Sequence, residues 1–314
     1  MSVLFHITLN VIVPIFALIG VGAFLHRQFQ LDMNTLSKLN TYLLMPAVCF
    51  TNVYQSKISG DTLLKILSFL VIQSLCLMIV STGVSKIAKF ESSLSATFKN
   101  SVVLFNSGNY GLPVSQFVFQ HHPLGLSIQI VVLIFQNLIT YTYGLFNSVS
   151  VDKAKIQALR EFFKNPVIYA FLLGVFFQVV SVRIPAFLWT PIKNTSNAFL
   201  AIALVTLGAQ CAFLKISRFS LPLVLSLIGR LILSPCIAIL IIFTLRLDGT
   251  IAQSLLIASS FPTSRNSSLF ALEYGNHPEY AAQAVLLSTV FSILTVTTVI
   301  FSAQLLFGDS PPLL

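Results

Sequence analysis

Residues 100–120, NSVVLFNSGNYGLPVSQFVFQ, decide how the chain is read. They lie among apolar runs of membrane length, yet their centre holds Asn106, Ser107, Gly108, Asn109, Gly111 and Pro113. Proline lacks a backbone donor and glycine is a poor helix former, so two half-helices are expected, parted by a break near 106–113. Backbone left unpaired at bilayer depth is tolerated only where protein buries it or where it lines a wet cavity. A second stretch, residues 254–274 (SLLIASSFPTSRNSSLFALEY), interrupts an apolar run with Ser259, Ser260, Pro262, Thr263, Ser264, Arg265, Asn266, Ser267 and Ser268. Interrupted segments in corresponding places of two halves point to the substrate site of a secondary transporter.

The composition agrees. Of 314 residues 56% are hydrophobic and 9% charged, with mean hydropathy +0.89, whereas soluble domains carry about 25% charged residues. A span needs about 20 apolar residues, so a chain of this length with short loops holds roughly ten. The expected spans are 7–26, 36–55, 62–85, 94–119, 125–148, 165–182, 190–213, 219–245, 250–274 and 280–307. The net charge of +9 is scattered between apolar runs and makes no basic face for nucleic acid. Cys49, Cys76, Cys211 and Cys236 stand singly in apolar segments and suggest neither a disulfide framework nor a zinc site. The opening residues MSVLFH lack the basic region of a cleavable signal, so the first apolar run is expected to remain as a span.

Orientation follows from Lys and Arg. With the N-terminus outside, the cytoplasmic connections hold Arg27, Lys38, Lys86, Lys89, Lys99, Lys153, Lys155, Arg160, Lys164, Lys215 and Arg218; the outer side holds only Lys57, Lys65, Arg183, Lys193 and Arg246. Both termini are therefore expected outside the cytoplasmic membrane. The polar connection 150–164, SVDKAKIQALREFFK, divides a first five-span repeat (1–149) from a second (165–314). An odd number of spans per half inverts the second repeat. Span four ends in QHHP and span nine in GNHP, each after its break. Within the connection, residues 152–163 carry apolar positions at helical spacing, which suits either a surface amphipathic helix or a solvated linker.

Of the nine acidic residues only Glu273 falls within an expected span, which argues against a cation as the main cargo. Arg265 and Arg230 do reach span interiors. Arg265 is read either as a fork for a substrate carboxylate or as the partner of Glu273 or of broken-helix carbonyls. Arg230, beside Gly229 and ahead of Pro235, could contact substrate or satisfy the carbonyls of a kinked helix. The second half-helices would present free amides and positive dipole ends near Gly111–Pro113 and Asn266–Ser268, which favours an anion. Asn106, Asn109 and Asn266 add neutral donors, or else bind exposed backbone at the breaks. The five histidines all lie at span ends, no metalloprotease, nucleophile-elbow or P-loop motif occurs, and no cofactor is implied.

These features resemble the auxin efflux carrier family, whose bacterial branch includes malate and malonate permeases. LNTYLLMPAVCF from Leu39, with Asn40 and Pro46, is similar to the family's second-span motif. NPVIYAFLLGV from Asn165 resembles the opening of its second repeat, and Asn106 stands seven residues before the proline of a Gly-x-Pro at Gly111–Pro113. Arg230 to Pro235, LDGT from Leu247, Pro262 and EYGNHP from Glu273 follow in the family's order. The resemblance implies an all-α membrane protein of elevator type, with spans four and nine broken and crossing. Spans 1, 2, 6 and 7 would form a dimerising scaffold, and spans 3–5 and 8–10 a moving domain. Asn106 and the donors at Pro113 would hold a substrate carboxylate, while Asn40, Pro46, Arg230 and Glu273 would support. The chain departs from plant members in Ser267 or its neighbour for a proline, Asn197 for an aspartate, a short central connection, and Arg265 for an apolar residue, a fixed charge that either reads a second carboxylate or occupies the place of a coupling cation. A dicarboxylate carrier is expected; a monocarboxylate or auxin-like carrier, and an anion-binding membrane sensor, are the alternatives.

Overall fold

A computed structural model of the protein describes residues 8–55, 59–120, 122–148, 163–181, 183–212 and 219–308. All regular structure among them is helical: α1 (Thr8–Phe29), α2 (33–55), α3 (Gly60–Ile87), α4 (Ser92–Val103), α5 (107–118), α6 (Pro123–Ser148), α7 (Pro166–Val179), α8 (Ala186–Cys211), α9 (Leu221–Thr244), α10 (Gly249–Ser259), α11 (Arg265–Glu273) and α12 (Pro278–Phe307). Helices α1, α3, α6, α9 and α12 are each long and apolar enough to cross a bilayer. Of the remainder, α7 and α10 are apolar but short, and α8 has the length but carries Lys193, Asn194, Thr195 and Ser196. The expectation for 152–163 lies outside the described residues up to position 162.

Four prolines shape the rods. A proline inside a helix has no N–H for the carbonyl four residues back and its ring crowds that carbonyl. Here Pro14, Pro46, Pro113 and Pro235 are each preceded by one widened π turn, Thr8–Ile12, Asn40–Leu44, Ser107–Gly111 and Gly229–Leu233, ending two residues before the ring. The wider turn moves the crowded carbonyl aside and keeps the helix running, with Met45 N–H bonding Asn40 C=O and Ser234 N–H bonding Gly229 C=O. Pro46 and Pro235 therefore interrupt no rod.

The core is apolar, but the outer surface is apolar too, unlike that of a water-soluble protein, and some polar groups lie inside. Large apolar side chains such as Phe24, Ile79, Leu172 and Leu294 face outward, while Gln73, Asn100, Ser101, Gln129 and Arg230 are buried. Packing falls into two groups. In one, α1 lies on α8, and both α7 and α8 lie on α2. In the other, α10 is central, packed against α6, α9 and α12, with α3 on α4 and α9. The α1–α8 crossing depends on Gly22 and Gly208, each seated on the other helix's backbone. Asn40 joins α2 to α8 through Thr206 Oγ1 at 3.0 Å.

Candidate functional site

Two breaks lie side by side in the interior. The first spans 104–106, between α4 and α5; the second spans 260–264, between α10 and α11. They bond as a two-residue antiparallel bridge, Phe105 opposite Thr263, with Asn106 N–H donating to Pro262 C=O and Ser264 N–H to Leu104 C=O, each at 2.8 Å. The first break lies nearer the N-terminus than its glycines and proline suggest. The π turn absorbs Pro113, and Gly111 is needed because a Cβ there would meet the Phe261 ring at 2.5 Å. The helix therefore resumes at Ser107.

Interior carbonyls must find partners, and here they do. Ser101 C=O accepts from Thr263 Oγ1 at 2.8 Å, and Val102 C=O from Arg230 Nη1 at 3.0 Å. Ser259 C=O accepts from Ser234 Oγ at 2.8 Å and from Arg230 Nη2. Thr263 N–H donates to Ser288 Oγ at 3.0 Å. Arg230 is thus fully buried on the last carbonyls of both α4 and α10, over the Phe105 ring. It ties the breaks together and does not line the cavity beside them.

That cavity, about 270 Å³, lies where the breaks meet α2, α6 and the start of α7. Asn106 with Ser107, Gly108 and Asn109 comes from the first break and the start of α5, and Ser264 with Arg265 and Asn266 from the second break and the start of α11. Helix α2 adds Ser37, Thr41 and Met45; α6 adds Leu133, Gln136, Asn137, Thr140 and Tyr141; Asn165 precedes α7. Among the described residues Arg265 is the one charged residue in this lining, and no carboxylate joins it.

Arg265 breaks two local rules. It occupies the first turn of α11, at the positive end of the helix, where a cation is disfavoured. Among the described residues its hydrogen-bond partner is a neutral hydroxyl, Ser37 Oγ, at 2.8 Å, and no ion pair forms. Glu273, two turns on, is exposed at the other end of α11 and does not pair with it. Local rules broken without structural compensation mark functional positions. The Nδ2 of Asn106 and the Oδ1 of Asn109 are buried without partners, at some cost to stability.

The remaining sequence candidates serve the architecture. Pro262 and Thr263 bond the opposite break, and Ser260 Oγ bonds Ile257 C=O within its own chain turn. Ser267 is buried on α11 away from the cavity lining. Asn40 and Pro46 sit on α2 beside the residues that do line it. The lining on α2 and α6 was not among the candidates, although a signal existed: Ser37 and Thr41 share a helix face with Met45, as do Gln136, Asn137, Thr140 and Tyr141 in an otherwise apolar span.

Ser264 accepts Asn266 N–H at 3.3 Å as the cap of α11. Ser264→Ala should cost about 1 kcal/mol of stability and loosen Arg265, whereas Ser264→Asp should keep the cap but place a negative charge in the cavity. Thermal unfolding with anion binding measured on both variants separates the two effects: binding is expected to fall further in the aspartate variant despite its better stability.

A model of the membrane transport protein family matches residues 7–300. An uncharacterized transporter of Methanothermobacter thermautotrophicus is 24% identical over 94% of this chain and 94% of its own. The uncharacterized transporter YfdV of Escherichia coli is 24% identical over 94% of this chain and 97% of its own. Auxin efflux carrier component 8 of Arabidopsis thaliana is 24% identical over 50% of this chain and 45% of its own.

Proposed function

From the premise that the chain belongs to the membrane transport protein family of the auxin efflux carriers, and is a multi-pass membrane transporter, we propose that it carries a small organic anion, a dicarboxylate of malate or malonate type. The observation that carries this reading is the cavity between the breaks, which among the described residues holds Arg265 and no carboxylate. The N-terminal ends of α5 and α11 add positive dipole to the same space. One carboxylate is assigned to Asn106 and the positive N-terminal end of α5, and the second to the Arg265 fork. Metal ions and cofactors have no part in the reading.

The architecture proposed is ten spans in two inverted repeats, 1–149 and 165–314. Grouping α4 with α5 and α10 with α11 gives ten spans, and α6 and α12 both begin at a proline preceded by histidine, Pro123 and Pro278. The two packing groups support a scaffold of spans 1, 2, 6 and 7 and a moving domain of the rest, working as an elevator, with a homodimer formed through the scaffold. With both termini outside the cytoplasmic membrane, the Ser37 and Asn165 side of the cavity faces the cytoplasm, so this is an inward-facing state.

A second reading, an aromatic monocarboxylate, is favoured by the apolar part of the lining, Met45, Phe105, Leu133, Tyr141 and Leu269. Thermal unfolding of the purified protein against mono-, di- and tricarboxylates and an aromatic acid decides between them, since a ligand of the folded state raises its apparent stability. Dicarboxylates are expected to stabilise most. Uptake into proteoliposomes then separates a carrier from a sensor, which would bind without accumulating or exchanging the anion.

A further inference from the structure

Arg230 has no carboxylate partner among the described residues, yet it is fully buried. A guanidinium isolated from water demands a counter-charge. The structure supplies it in two halves. Val102 C=O belongs to the last turn of α4 and Ser259 C=O closes α10, and each helix C-terminus carries roughly half a negative charge. Two such ends on one guanidinium sum to about neutrality. The rest of the seat is polar and aromatic: Ser234 Oγ accepts from Arg230 and from Gln73 Nε2 at 3.2 Å while donating to Ser259 C=O, and the Phe105 ring lies 5.2 Å from the guanidinium, whose Nε alone is buried without a partner. In carriers built on broken helices, half-helix C-termini and unwound carbonyls are where a coupling Na+ or H+ binds.

We propose that Arg230 is a resident cation occupying that place, so that the protein binds no small inorganic cation at the crossing of its breaks and moves its cargo without sodium coupling. The consequence for the cavity is electrostatic. The negative helix ends are neutralised behind Phe105, and the positive ends with Arg265 are left to act on the cargo. The inference rests on the reading of the site as that of an anion carrier, but its test uses no anion cargo and so fails or succeeds independently.

The measurement is thermal unfolding of the purified full chain in matched chloride salts of sodium, potassium, lithium and choline. The wild type is expected to melt at one temperature in all four, within about 1 °C. A saturable rise of about 3 °C or more with sodium over choline would show a sodium site and overturn the proposal. Arg230→Ala empties the seat; it is expected to melt lower in choline and to recover part of the loss in sodium or in millimolar guanidinium. An alanine variant as stable as the wild type, or one that melts alike in every salt, overturns the counter-ion role. Should that variant not accumulate, Arg230→Lys keeps the charge without the fork and is expected to fold, while the wild-type titration decides on its own.

Discussion

Arg265→Ala is expected to weaken dicarboxylate binding by about 10- to 100-fold, the worth of a charge-assisted hydrogen bond of roughly 1.5–3 kcal/mol. Uptake of malate and of a monocarboxylate measured side by side should show the loss mainly for malate, because the second carboxylate is the one assigned to the guanidinium. Arg265→Lys should recover only part of it, since a point charge cannot reproduce the fork. The same alanine variant without ligand is expected to be at least as stable as the wild type. It removes a cation from the positive end of α11 and breaks only the Ser37 hydrogen bond. Weaker binding beside unchanged or higher stability is the signature of a residue kept for its cargo. Unchanged uptake of both anions would remove Arg265 from the substrate site.

Gly208→Leu is expected to lower stability by about 3 kcal/mol or more, a fall of roughly 6–12 °C in the unfolding midpoint. A Cβ at Gly208 would lie 1.8 Å from Ile19 O and 3.0 Å from Ala23 N; one at Gly22 would lie 2.0 Å from Val205 O. These neighbours are backbone atoms, so no side chain can rotate away and the helices must part. Helix α1 has little else to hold it, with Val11, Ile12, Ile15 and Gly22 its buried positions. Gly20→Ala is the control on the same helix: a Cβ there meets nothing within 4 Å. It should leave the midpoint unchanged or raise it slightly through helix propensity. Equal losses at Gly20 and Gly208 would contradict the close crossing.

Both breaks could be placed from the sequence because proline, glycine and polar residues inside apolar runs conflict locally with an unbroken span. The second lies where Pro262 put it, at 260–264, but the first does not lie where its residues suggest. Pro113 and Gly111 suggested a gap around themselves, but a π turn passes the proline and the gap moved back to Leu104–Asn106, where the backbone pairs with Pro262 and Ser264. Among the described residues four of the five π turns end two residues before a proline ring, whereas Thr140–Gly144 precedes none and Pro191 inside α8 is passed without one.

Composition and hydropathy alone determined that the chain is helical and lives in a membrane, because burying main-chain polarity in lipid leaves few other choices for so apolar a sequence. The shortage of acidic residues likewise fixed the sign of charge expected at the centre. The tertiary structure decided which arginine does what. Arg230 and Arg265 are each a lone cation within an expected span, and either could be read from the sequence as a substrate contact or as a partner of exposed carbonyls. Folding sets one on the negative ends of two helices and the other at the positive end of a third. Only the meeting of segments some 160 residues apart creates that difference, as Phe105 does in facing Thr263.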